Sequence, residues 1–163
     1  MKKLCIVAIL AIFSFTSVKA QEGFSGGVHI GIPSGDISDF SGLNFGIDLS
    51  YLFNVAEGFD AGITTGYTHF TGKDWKDGPF TIEVEDFGFI PLAGTARYSF
   101  SENIFGAADL GYGISTNGGT GGFYYQPKVG YKTETMDVFG FYKGISRDGS
   151  TVGSFGVGAA FRF

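Results

Sequence analysis

His69 is the residue whose chemistry comes nearest to a catalytic pattern. An imidazole can activate a hydroxyl nucleophile when a carboxylate orients its ring. Thr71 lies two residues further on, but a threonine is a weak substitute for a serine nucleophile, and the sequence assigns no acidic partner. We therefore expect His69 to be a non-catalytic histidine beside Tyr67, and we expect His29 to be a hydrogen-bonded histidine rather than a metal ligand.

The connection formed by residues 71–86 could supply oxygen ligands to a hard cation. Its carboxylates, which include Asp74, Asp77, Glu83 and Glu85, could hold a divalent ion that bridges phosphate groups, but their spacing matches no EF-hand loop. A solvated charged loop is the favoured interpretation, with Trp75 as a surface contact for a partner.

A glycine-rich run at residues 117–122 has the composition of a phosphate-binding loop without its context. No Lys-Ser or Lys-Thr pair follows it and no helix is predicted after it, so we interpret it as a flexible loop. The sequence thus predicts no metal and no cofactor.

Other charged side chains alternate with large apolar residues, as expected for strands with one polar face and one apolar face. From Leu43 to Phe53 every odd-numbered residue is large and apolar, whereas Asn44, Gly46 and Asp48 share the other face. The polar face of the predicted strands contains Asp48, Asp60, Arg97, Asp109, Lys128 and Arg162. We expect these six residues to form a structural network in which opposite charges pair across a polar interior.

Eight segments share this alternation. The predicted strands are Phe24–Ile32, Leu43–Phe53, Phe59–Phe70, Phe87–Phe100, Ile104–Ser115, Phe123–Lys132, Met136–Ile145 and Val152–Phe163. Several are near the ~9 to 11 residues that a tilted membrane strand needs. The seventh is ambiguous, because Phe139 and Phe141 share a face with Asp137 and Lys143.

The connections between these segments also alternate in length. Residues 54–58, 101–103 and 133–135 form short turns, whereas residues 71–86 form a long charged loop. Short turns at one end and longer loops at the other are typical of transmembrane β-barrels. Closure leaves no unpaired backbone group in hydrocarbon, and eight strands leave an interior that side chains fill, which excludes a wide pore.

Aromatic residues cluster where such strands would meet the two membrane surfaces. One predicted girdle contains Phe24, Phe53, Phe59, Tyr98, Phe100, Tyr131, Phe161 and Phe163, and the other contains Tyr67, Tyr112, Phe123 and Tyr125. A soluble barrel would instead bury these rings, and a narrow barrel has little room for them.

The N-terminal residues predict export. Lys2 and Lys3 precede an apolar run that is too short to span a bilayer as a helix, and Ala20 offers a small residue at a cleavage site. We expect residues 1–20 to be a signal peptide and residues 21–163 to be the barrel domain. Loss of three lysines with this segment changes the formal charge from −5 to −8, which disfavours a nucleic-acid partner.

Taken together, the chain resembles the small eight-stranded outer-membrane β-barrel family, similar in build to OmpX and the OmpA membrane domain and often labelled "porin family". The features that carry the resemblance are the signal ending at Ala20, the segments Ala108-Asp-Leu-Gly-Tyr-Gly113 and Gly122-Phe-Tyr-Tyr-Gln-Pro127, and the terminal Phe161-Arg-Phe163. The resemblance implies an all-β, antiparallel up-and-down transmembrane barrel in the Gram-negative cell outer membrane. It also implies that Phe161 and Phe163 are read by the barrel assembly machinery.

Function is predicted only in outline. The primary hypothesis is a monomeric, non-enzymatic barrel in contact with outer-membrane lipid and lipopolysaccharide, with a structural or adhesive role. A narrow channel or carrier for small solutes is the alternative, suggested by the glycine-lined polar face. A lipid A modifying enzyme that uses His69 ranks third.

Overall fold

The computed structural model describes residues 23–35, 37–73, 75–77, 80–82 and 85–163 as a closed antiparallel barrel with a small added hairpin. The strands are β1 (Phe24–Gly35), β2 (Ser41–Ala56), β3 (Phe59–Gly72), β4 (Trp75–Asp77), β5 (Phe80–Ile82), β6 (Phe87–Ser99), β7 (Ile104–Ser115), β8 (Gly122–Lys132), β9 (Met136–Arg147) and β10 (Ser150–Arg162). Eight of them pair around the barrel in the order β1, β10, β9, β8, β7, β6, β3, β2. In the part of the chain that the structure describes, no helix is long and apolar enough to cross a membrane.

The predicted eight-stranded, all-β antiparallel fold is therefore confirmed, with shifts of a few residues at the strand ends. One element was not predicted. The connection between β3 and β6 contains the two-stranded hairpin β4–β5, in which Trp75 is opposite Ile82 and Asp77 is opposite Phe80. The proposed signal segment, residues 1–20, lies outside the described residues.

The backbone ladder closes where β1 pairs with β10, from Ser25 opposite Arg162 to Gly35 opposite Val152. Proline interrupts the ladder elsewhere, because it has no N–H to donate. The β3–β6 pairing skips the position of Pro91, whose carbonyl accepts a hydrogen bond from the Thr65 hydroxyl at 2.8 Å. The β8–β9 pairing skips Gln126 and Pro127.

Alternation along the strands separates an apolar outer surface from a polar and aromatic interior. On β2, Phe45 is 42% exposed and Ile47 is 46% exposed, whereas Asn44 is fully buried and Asp48 nearly so. Val129 on β8 and Val157 on β10 point outward in the same way. The result is an apolar belt around the barrel.

The two ends of the barrel differ in their connections. The turn end carries the short β2–β3, β6–β7 and β8–β9 turns, and the loop end carries the β1–β2, β3–β6 and β7–β8 loops. The β9–β10 connection is a tight turn at the loop end. Asp148 and Gly149 have φ of 49° and 86°, and positive φ at both central residues is what a two-residue type I′ hairpin turn requires.

Strand β9 resolves the ambiguity left by its sequence. Asp137, Phe139, Phe141 and Lys143 are all buried on its inner face, and Val138 is exposed. Phe139 and Phe141 pack with Phe105 inside the barrel.

Candidate functional site

The centre of the interior holds a cluster of charged and polar side chains around His29 on β1. Its Nδ1 lies 2.6 Å from Asp48 Oδ2, and its Nε2 lies 2.8 Å from Lys143 Nζ. Because an ammonium group only donates, Nε2 accepts from Lys143 and Nδ1–H donates to Asp48. The imidazole thus links a carboxylate to an ammonium group across three strands, and all three side chains are buried.

Hydroxyl and amide groups complete this central cluster on the side nearer the loop end. Thr68 Oγ1 lies 3.1 Å from Lys143 Nζ and accepts a hydrogen bond from Asn44 Nδ2 at 2.9 Å. The Ser154 hydroxyl in turn donates to Asn44 Oδ1 at 3.1 Å. These bonds connect β1, β2, β3, β9 and β10 through side chains alone.

A second chain of hydrogen bonds runs around the inner surface of the barrel from β2 to β8. Ser50 and Thr64 hydroxyls are 2.8 Å apart, and Thr64 and Thr95 hydroxyls are 2.6 Å apart. Thr95 donates to Asp109 Oδ1 at 2.8 Å, and the other carboxylate oxygen lies 2.6 Å from Lys128 Nζ. Asp109, which is fully buried, is therefore neutralised on one side and hydrogen-bonded on the other.

A third group of charges lies nearer the turn end. Arg97 Nη1 is 2.5 Å from Asp137 Oδ2, and Arg162 Nη2 is 3.4 Å from Asp137 Oδ1. The Arg97 guanidinium also stacks 3.8 Å from the centre of the Phe105 ring. Arg162, which is partly exposed, additionally donates to the Thr133 carbonyl in the β8–β9 turn.

The structure brings five of the six residues predicted for the interior network into ion-pair or charge-assisted contacts, but with partners that sequence reasoning mostly did not name. Asp109 and Lys128 contact each other. Asp48 pairs with His29, and Arg97 and Arg162 both pair with Asp137. Asp60 stays apart, since its carboxylate accepts from Asn54 at 3.0 Å beside the β2–β3 turn.

The partners that were missed are His29, Asp137 and Lys143. A signal for the last two was present: charged residues at positions 137 and 143 have the same parity, which places both on one face of a strand. That parity also places Phe139 and Phe141 inside, and the preference of aromatic rings for the outer face argued against it.

Large side chains fill the loop-end half of the interior. Phe70, Phe89, Tyr124 and Ile145 form a buried cluster with Ala93, against which Ile37, Phe87 and Val152 also pack. Phe70 and Phe87 stack with ring centres 5.1 Å apart. We refer to this group as the aromatic plug. In the turn-end half, the cavity among Asp48, Arg97 and Lys128 measures about 40 Å³, room for a water molecule or two.

His69 lies on the outer face at the loop end, as part of a group that we call the outer trio: Tyr67, His69 and Asp86. The Tyr67 hydroxyl is 3.1 Å from His69 Nδ1, and His69 Nε2 is 3.1 Å from Asp86 Oδ2. Asp86, absent from the sequence-based account of His69, also accepts a hydrogen bond from the Gly72 N–H at 2.8 Å. That bond and the His69 contact hold the pKa of the Asp86 carboxyl below its usual value.

Within the part of the chain that the structure describes, the Thr71 hydroxyl makes no hydrogen bond to His69. Its hydroxyl accepts from the Leu43 N–H at 3.0 Å and so supports the β2–β3 pairing. Within the described residues, no group of three or more His, Cys, Asp or Glu side chains could hold a metal ion.

The residues predicted as an assembly signal lie at the turn end. Phe161 is exposed on the outer face of β10. The Phe163 ring centre is 6.0 Å from that of Phe24, and the Phe163 N–H donates to the Phe24 carbonyl at 3.0 Å.

Comparison with known proteins identifies the fold but not a close relative. No protein-family model matches the chain, and no curated protein matches it in sequence. The structure is similar to that of Ail, the attachment invasion locus protein of Yersinia pestis, with a TM-score of 0.57 and 15% identity over 86% of this chain and 97% of Ail. The fold is that of the small eight-stranded transmembrane β-barrels.

Two further structures support this assignment. Ail in a phospholipid bilayer nanodisc matches with a TM-score of 0.56 at 16% identity, over 87% of this chain and all of that one. A de novo designed transmembrane β-barrel matches with a TM-score of 0.54 at 12% identity, over 89% of this chain and all of the design. Because a designed barrel matches nearly as well as a natural one, the likeness specifies architecture and carries no activity.

Proposed function

We propose that the chain is a monomeric, non-enzymatic outer-membrane protein that makes surface contacts through its loop end. The observation that carries this proposal is the hairpin β4–β5, an added element in the long connection at one end of a barrel whose interior is filled. Because the interior is packed with buried charged and aromatic side chains, the exposed loops are the part of the molecule available to a soluble or surface partner.

Hydrogen bonds at the base of this connection support a presenting role. The Lys73 N–H donates to the Phe40 carbonyl at 2.8 Å, and Asn117 Nδ2 donates to the Asp86 carbonyl at 2.9 Å. The loop is thereby tied to the β1–β2 loop on one side and to the β7–β8 loop on the other. Ail, which is named for attachment, has the same fold.

The proposal includes location and assembly. Residues 1–20 would be removed after Ala20, the turn end would face the periplasm, and the loop end would meet lipopolysaccharide. Phe161 and Phe163 would be recognised by the barrel assembly machinery. These assignments rest on the sequence features above and on the outer apolar belt, which needs hydrocarbon around it.

Two measurements test this function. In cell fractionation the protein should be in the outer membrane, and its gel mobility should change on boiling, as expected for a closed barrel that resists detergent. Replacing residues 74–84 with a short Gly-Ser link should leave that mobility change intact and abolish adherence of expressing cells to a surface that the full-length protein binds. Unchanged adherence would refute the role of the hairpin.

A channel or carrier is disfavoured by the aromatic plug, which fills the loop-end half of the lumen. Planar bilayers containing the purified protein should show no steady conductance. We expect a current only after Phe70 and Phe89 have both been replaced with alanine. A steady current through the unmodified protein would contradict this expectation and support the channel hypothesis.

Catalysis by His69 gains one feature from the structure, since Asp86 orients the imidazole. The hydroxyl beside the ring, however, belongs to Tyr67, and Thr71 is engaged by the backbone of Leu43. We therefore propose no lipid A modification. An altered lipid A mass spectrum on expression of the protein, lost with His69→Ala, would overturn this view.

A further inference from the structure

The outer face of β1, β2 and β3 carries a shallow apolar groove. Outward side chains of Val28, Ile30, Phe45, Ile47 and Tyr67 line it, and His29 and Gly46 contribute its floor. Its volume of about 460 Å³ lies within the ~300 to 1,000 Å³ range of ligand sites. Because this face belongs to the apolar belt of a transmembrane barrel, the groove opens toward hydrocarbon.

The outer trio borders the loop end of this groove. His69 is opposite Phe45 in the β2–β3 pairing, and Phe45 is opposite Ile30 in the β1–β2 pairing. The Phe45 and His69 rings contact each other with centres 5.0 Å apart. Tyr67 belongs to both features, since it lines the groove and bonds the imidazole. The apolar groove and the polar outer trio are thus adjacent. Their arrangement matches that of a lipid, with the groove in the place of the acyl chain and the trio in the place of the headgroup.

The hydrogen bonds of the trio determine which headgroup it can take. Ionised Asp86 only accepts, so His69 Nε2 carries the proton between them, and in this tautomer Nδ1 accepts from the Tyr67 hydroxyl. Every polar hydrogen of the trio is used. Lone pairs remain on the Tyr67 oxygen and on the Asp86 carboxylate, which is 57% exposed. The trio therefore offers a negative charge and acceptors to a ligand that donates.

We propose that the groove and the outer trio form a binding site for one ethanolamine phospholipid, with an acyl chain along the groove and the headgroup ammonium donating to Asp86 and Tyr67. A choline headgroup has the same charge but no N–H, so it cannot make these bonds. The inference depends on the membrane-spanning fold and not on the proposed surface-contact role, and it places this phospholipid among the lipopolysaccharide that the loop end is proposed to meet.

Native mass spectrometry of the purified protein tests the site with two phospholipids that have identical acyl chains and differ only in ethanolamine or choline. The protein should retain the ethanolamine lipid with a preference of about tenfold or more, the scale of one hydrogen bond to a charged group. Stepwise N-methylation of the ethanolamine should reduce that preference in steps. Equal retention of the two lipids, or retention of neither, would overturn the proposal.

Paired variants locate the site. Asp86→Asn should abolish the preference for ethanolamine, whereas Asp148→Asn, at another exposed carboxylate of the loop end, should preserve it. Val28→Phe should fill the groove and reduce retention of both lipids, whereas Val129→Phe, on an equally exposed outer position of β8, should not. A preference that survives Asp86→Asn would refute the headgroup assignment. The gel mobility of each variant shows whether its barrel is folded, and the methylation series in the unmodified protein requires no variant.

Discussion

Replacing Asp137 with asparagine tests whether the barrel interior behaves as a medium of low polarity. Asp137 and Arg97 side chains are 6% and 9% exposed, and their charged atoms lie 2.5 Å apart. Asparagine keeps the shape but removes the charge that compensates Arg97. Loss of one partner from a buried ion pair costs about 3 to 5 kcal/mol, or about two to four powers of ten in the folding equilibrium constant.

Urea titration in lipid vesicles, read from the heat-dependent gel mobility or from circular dichroism, measures this loss. Asp148→Asn is the matched control, because Asp148 pairs with Arg147 at the surface and is 82% exposed. Its loss should cost at most about 1 kcal/mol, and asparagine tolerates the positive φ there.

Replacing both partners, as Arg97→Met with Asp137→Leu, should recover most of the stability that Asp137→Asn loses, because no uncompensated charge then remains at Arg97. Arg162 keeps its bond to the Thr133 carbonyl in this variant. If Asp137→Asn costs no more than Asp148→Asn, the interior pair is effectively hydrated, and its burial does not strengthen it.

Three further predictions concern backbone contact, the outer belt and pH. Gly46→Ala should destabilise the barrel by about 1 to 3 kcal/mol in the same urea assay, because the added Cβ would lie 2.0 Å from the Tyr67 carbonyl oxygen, whereas Gly94→Ala, with its nearest atom at 3.9 Å, should be tolerated. Leu92→Arg should cost about 2 to 4 kcal/mol, because Leu92 lies mid-strand on the outer belt. The hydrogen bond from the Gly72 N–H and the contact with His69 lower the pKa of the Asp86 carboxyl. These contacts should therefore persist at neutral pH and weaken only as the pH falls through that lowered pKa. The Gly72 amide resonance, followed by NMR, should titrate with a midpoint below 3.8, the ordinary value for this carboxyl.

Sequence reasoning predicted the outer surface of the barrel well, because alternation is a local property. Ile47 and Val157 point outward as their spacing indicates, since the face of a strand residue depends on its parity alone. Strand number and the order of short and long connections follow from the same local pattern. These features suffice for the architecture.

The partners inside the barrel could not be predicted in this way. Lys143 contacts His29, 114 residues earlier in the chain, and Arg97 contacts Asp137, 40 residues later. Such contacts depend on the register and tilt of strands that meet only after closure, and alternation does not encode register between distant strands. Asp86 was missed as a partner of His69 for a related reason, since a long loop brings it back to the end of β3.

On strand β9, the charged residues and not the aromatic ones determine which face points into the barrel. Phe139 and Phe141 are large and apolar, like the residues of the outer belt. Residues two apart on a strand share a face, so turning these rings outward would also turn Asp137 and Lys143 into hydrocarbon. A lysine that faces lipid at the membrane centre costs about 2 to 4 kcal/mol and an aspartate costs less, and both residues would also lose their partners across the barrel. A buried ring loses much less, since it packs against Phe105 and borders the cations inside: Lys143 Nζ lies 5.3 Å from the Phe141 ring centre and Lys128 Nζ lies 5.6 Å from that of Phe139. The charges therefore set the register of this strand, and the aromatic residues follow them into the interior.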